Sequence, residues 1–96
     1  MICLRANLIA GSAHERFAAG TSVAALMFVR ADTVEIAEEL AAQQLSGRGW
    51  ARMETERTKE IQDYSQFESK DDVVSQAFQD ARESGFGVVI YPEPGT

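Results

Sequence analysis

The chain of 96 residues sets fifteen acids against nine lysines and arginines, giving a net charge of −6 and a pI near 4.6. A negative field repels nucleic-acid backbones and anionic membranes, so neither is expected as a partner. The length fits one domain, residues 1–96, burying roughly 64% of its extended-chain surface. A hydrophobic share of 45% is ordinary for a globular protein.

In chain order, residues 2–10 alternate Ile2, Leu4, Ala6, Leu8 and Ala10 against Cys3, Arg5 and Asn7. That is the pattern of a strand with one wet face. Arg5 and Asn7 also interrupt what would be the apolar centre of a signal peptide, and no basic segment precedes them. A cytoplasmic location is therefore expected. No apolar run approaches transmembrane length. Cys3 is the only cysteine and can make neither an internal disulfide nor a zinc site; the expectation is an inert packing group.

Gly11 to Gly20 reads as a loop holding the only histidine, His14. Flanked by Ala13 and Glu15, His14 is expected to bury little area. Residues 21–31 are apolar on both period-2 faces, with Val23, Ala25, Met27 and Val29 on one and Leu26 and Phe28 on the other. Such a strand should be central, with both faces of its sheet covered.

A helix is predicted over about 33–46. Asp32-Thr33-Val34-Glu35 has the spacing of a capping box with Asp32 as the cap. Ile36, Ala37, Leu40, Ala41 and Leu45 form its apolar stripe, and Gly47 is placed as its left-handed terminator. Residues 48–59 read as a polar edge strand whose charged side chains discourage edge pairing. Residues 59–69 read either as a fourth strand or as a loop. A second helix is predicted over about 70–84, with Val73, Val74, Ala77, Phe78 and Ala81 inward and Gly85 ending it. Phe86 to Tyr91 is a last strand, stopped by Pro92.

The expected fold is α+β: a two-layer sandwich with both helices on one face of a four- or five-stranded sheet. With 59–69 as a strand, residues 21–91 run strand-helix-strand-strand-helix-strand. That order resembles the ferredoxin-like split βαβ arrangement, here with an extra N-terminal strand. The two helices can cover one face, so the opposite apolar face is expected to be hidden by a second subunit, a ligand or a partner, and a homodimer is the simplest cover.

Chemistry-bearing signals are sparse. No glycine-rich phosphate loop, Cys-x-x-Cys, His-Glu-x-x-His or Gly-x-Ser-x-Gly occurs, so no cofactor or metal is expected. Trp50, entering a polar strand between Arg48 and Arg52, reads as a core lid on Leu45 or as an interface anchor. The acids Glu54, Glu56, Glu60, Asp63, Glu68, Asp71 and Asp72 offer a surface for a basic protein partner. Trp50, Arg52, Glu54 and Glu56 are thus the candidate binding residues. The leading expectation is a small acidic, non-catalytic interaction or regulatory protein. The alternative is an enzyme or sensor resembling the dimeric ferredoxin-like barrel proteins. In that reading His14 is the acid/base group, Trp50 and Tyr64 line the cavity, and Arg30 or Arg52 holds an anionic substrate.

Overall fold

The computed structural model describes residues 1–12, 14, 16–62 and 73–91. Four strands, β1 (Ile2–Ala10), β2 (Ser22–Val29), β3 (Trp50–Glu60) and β4 (Phe86–Tyr91), join helices α1 (Val34–Ser46) and α2 (Val73–Ser84) in an α+β fold. The sheet order is β3-β1-β2-β4 and every pairing is antiparallel.

The N-terminal strand therefore lies inside the sheet, with Ile2 opposite Val29 on one side and Glu60 on the other. β2 and β3 run parallel to each other with β1 between them, and α1 links them as a split βαβ unit. Lys59 and Glu60 belong to β3; the rest of the segment weighed as a further strand lies, from residue 63, outside the described residues.

The two helices do not share a face, and here the expected two-layer arrangement is corrected. Ala37, Ala41 and Leu45 of α1 pack in one core with Ile2, Leu4, Leu8, Val23, Met27 and Val29. Ala77, Phe78 and Ala81 of α2 pack in a separate core with Phe28, Val89 and Ile61. Met27 and Phe28 are adjacent in one strand, so their side chains leave opposite sides of the sheet. The double apolarity of β2 thus reflects one helix per face. A helical stripe records that a helix is covered, but not which side of a sheet covers it. The premise that an uncovered apolar face demands a second copy goes with it.

Local details also moved. The cap of α1 is Thr33, whose Oγ1 accepts from the Ile36 amide at 3.2 Å; Asp32 precedes it. Gly47 is right-handed at φ −68°, and the left-handed residue is Gly49 at φ 94°. Ile36 and Leu40 are exposed, as is Val73 at the start of α2. Alanines 37 and 41 let α1 lie close to the sheet, so a narrow stripe closes the first core. Gly85, at φ 97°, turns α2 directly back into β4.

Candidate functional site

The face carrying α2, called here the second face, is only partly covered by it. Towards Ile9 and Tyr91 the sheet continues past the helix core, and no other element among the described residues lies over it. The register fixes which side chains share this open half. One row crosses Val89, Leu26, Arg5 and Arg57; the next crosses Tyr91, Ala24, Asn7 and Glu54; Ile9 and Arg52 follow. Ala24 is small among larger neighbours, which leaves a hollow of about 330 Å³ bordered by Arg5, Ala24, Leu26 and Tyr91.

The charges on this half are mostly positive. Arg5 faces Arg57 directly across the β1–β3 ladder, and Lys59 lies opposite Cys3 on the same side. Like charges directly opposed on a sheet destabilise it. The side chains of Arg5 and Arg57 make no hydrogen bond or ion pair among the described residues. Arg52 is paired with Glu54 at 2.9 Å, in an exposed contact of the kind that contributes little stability. Four of the chain's nine basic residues, Arg5, Arg52, Arg57 and Lys59, thus occupy one side of two neighbouring strands in a protein of net charge −6.

The residues singled out from the sequence do not meet on one surface. Trp50 points to the first face and is 7% exposed in the core that holds Leu45. Arg52 and Glu54 lie on the second face. β3 carries an extra residue at Glu56, between the partners of Arg5 and Ala6, and another at Ala51, between those of Ile9 and Ala10. Such bulges twist an edge strand and block further pairing. Glu60 sits opposite Ile2, on the first-face side, so the acids of β3 do not form one field.

His14 is half-buried, which corrects the expectation of a bare loop position. Its ring lies 4.3 Å from the Trp50 ring, edge-on, and 5.2 Å from that of Phe17. Nδ1 accepts from the amides of Arg16 at 3.1 Å and Phe17 at 3.2 Å. The imidazole thus closes its own loop over Trp50, with only Nε2 left for proton transfer. Arg30 donates to the carbonyl of Arg82 at 2.8 Å and ties β2 to the end of α2. Tyr64 lies outside the described residues. Burial pushes the Cys3 thiol up, and Lys59 pulls it partly back. A thiol held protonated is a poor nucleophile.

Sequence reasoning missed Arg5, Arg57 and Tyr91. The opposition of the two arginines is a fact of long-range register with no local signature. Tyr91, closing an otherwise aliphatic strand, was the one signal on offer.

The outer edge of β4 differs from that of β3. Phe86–Tyr91 contains no charged residue and no proline, and its pairing with β2 has no register shift. A groove of about 400 Å³ borders this strand, between Val88 and Ile90 on one side and Val73 and Asp80 of α2 on the other, with Arg16 at its mouth. No helix among the described residues is long and apolar enough to cross a membrane. No family model, no curated protein and no solved structure matches the chain.

Proposed function

We propose that this protein is a small non-catalytic interaction protein that works as a homodimer, with two copies joined β4 to β4. The observation that carries this reading is the contrast between the two sheet edges. β3 bears charges on most positions and two bulges, the usual devices against strand addition. β4 bears neither, and among the described residues no strand pairs with its outer edge, which leaves a row of backbone donors and acceptors for another strand. Antiparallel pairing about a two-fold axis normal to the sheet brings like face to like face. Val88 and Ile90 then meet their counterparts on one side, and Val89 meets its counterpart on the other.

Charge also favours a second copy on this edge over any other surface. Two molecules of net charge −6 repel, and Arg16 and Asp80 leave the β4 groove with balanced charge. The comparison with ferredoxin-like proteins is kept on one feature, the split unit in which β1 lies between β2 and β3. A basic protein partner gains little from β3, whose second-face row is itself largely basic.

Sedimentation equilibrium at tens of micromolar should give the mass of a dimer. Ile90→Lys should give a folded monomer by circular dichroism, because the substitution sets two like charges beside the two-fold axis. A wild-type monomer at that concentration, or a dimer unaffected by Ile90→Lys, overturns the reading.

A further inference from the structure

We infer that the open half of the second face is a binding site for a small organic anion, an apolar or aromatic body bearing a carboxylate or a phosphate. Its two arginines lie on β1 and β3; of β4 it uses only the Tyr91 side chain, not the outer backbone edge that strand pairing would occupy. Three observations converge on it.

The first is the opposed pair. Arg5 and Arg57 face each other in register on the same side of the sheet, and neither has an acidic partner among the described residues. An anion placed between two guanidinium groups accepts from both and cancels their repulsion. Lys59, further along the same side of β3, adds to the field.

The second is the hollow beside them. Leu26 is the direct cross-strand neighbour of Arg5, and Ala24 pairs with Tyr91. The floor is therefore aliphatic, one wall is a phenol ring and the rim is a guanidinium. At about 330 Å³ the hollow falls at the small end of ligand sites, which span roughly 300–1,000 Å³. A small apolar body fits there with its charged head turned towards β3.

The third is the sign of the surroundings. The rest of the chain is acidic enough to carry −6 overall, so an anion is repelled nearly everywhere else. The asymmetry concentrates binding on this patch.

Phenyl phosphate, benzoate, inorganic phosphate and the uncharged benzyl alcohol separate the contributions, each titrated into ¹⁵N-labelled protein and followed by amide chemical shifts. Phenyl phosphate or benzoate should move the amides of Arg5, Ala24, Leu26 and Arg57; which one binds tighter identifies the head group. Inorganic phosphate should bind more weakly for want of the apolar body, and benzyl alcohol should leave the arginine amides in place. Arg5→Gln and Arg57→Gln should each weaken binding by roughly tenfold and flatten its salt dependence while the remaining spectrum is preserved.

The proposal is overturned if no anion shifts these amides at millimolar concentration. It is equally overturned if benzyl alcohol binds as well as benzoate, or if both arginine variants bind like wild type. Loss of stability in both variants with no ligand effect also overturns it, since carboxylates of the chain itself would then be neutralising the pair. Both arginines are remote from the β4 edge, so failure here leaves the dimer reading standing, and a monomeric protein leaves this one standing.

Discussion

Gly87→Ala is the sharpest perturbation available to this fold. Gly87 lies in β4 directly under α2, where an added Cβ would stand 2.7 Å from the carbonyl carbon of Ala77 and 3.1 Å from its Cα, and would overlap the Ala77 carbonyl oxygen. All three atoms are helix backbone, so no side chain can rotate away. The carbonyl oxygen is the nearest of the three, so regaining van der Waals contact requires α2 to lift by about 1.5 Å.

A gap of about 0.5–1 Å already forfeits a quarter to a half of each contact, so a lift of this size forfeits about half or more. The contacts at risk are those of Phe78, fully buried and edge-on to Phe28 at 5.5 Å, together with Ala77 and Ala81. Burial of a Phe contributes roughly 1.5–3 kcal/mol, and the ring pair adds about 0.5–1.5 kcal/mol. With the strain of overpacking, about 1–3 kcal/mol, the gross cost is about 3 kcal/mol. Replacing a strand glycine by alanine returns roughly 0.5–1 kcal/mol. The net expectation is a loss of about 2 kcal/mol, or a fall in Tm of roughly 10 °C for a chain of this size.

Urea unfolding followed by far-UV circular dichroism and by Trp50 fluorescence measures it. Gly47→Ala is the control: its backbone is already helical at φ −68° and the nearest atom to an added Cβ is 3.7 Å away, so it should be neutral or gain up to about 1 kcal/mol. A Gly87→Ala protein within about 0.5 kcal/mol of wild type would refute the close seating of α2.

Two further outcomes follow from side chains already placed. His14→Ala should cost about 1–2 kcal/mol, from the lost ring contact with Trp50 and two amides left without an acceptor, and should shift Trp50 emission; an unchanged spectrum and stability would show that the loop does not close over the ring. Cys3 has its folded-state pKa raised by burial, so its contribution to stability is fully present below the unfolded thiol value, about 8.5, and is lost as pH rises through the folded value. Urea midpoints should therefore fall more steeply above that pH in wild type than in Cys3→Ala, and equal slopes would contradict the burial.

How much of this was legible in the sequence depended on the range of the interaction. The alternation of Ile2 to Ala10, the two-sided apolarity of residues 22–29 and the left-handed Gly85 are local, and each reads directly as strand, central strand or helix end. The cap of α1 was misread by one residue because Asp32 and Thr33 are both competent acceptors, and only the backbone geometry, extended at Thr33 with φ −134°, decides between them. The faces of the helices and the opposition of Arg5 to Arg57 depend on register between distant segments. No spacing rule within the chain encodes them, so the surface expected on Trp50, Arg52, Glu54 and Glu56 divided between a core, one face of the sheet and a bulge.

The strand order has a consequence for the chain as it is made. β1 and β2 leave the ribosome first and form the middle of the sheet; β3 and β4 arrive later, one on each flank. Until the final strand is complete, β2 presents an unpaired edge over Ser22–Val29, eight residues without a charge. Long-range closure of this kind is slow, and a bare apolar edge is a template for intermolecular pairing. The protein's most exposed moment is thus its synthesis, and a chain cut short before Phe86 would carry that edge permanently.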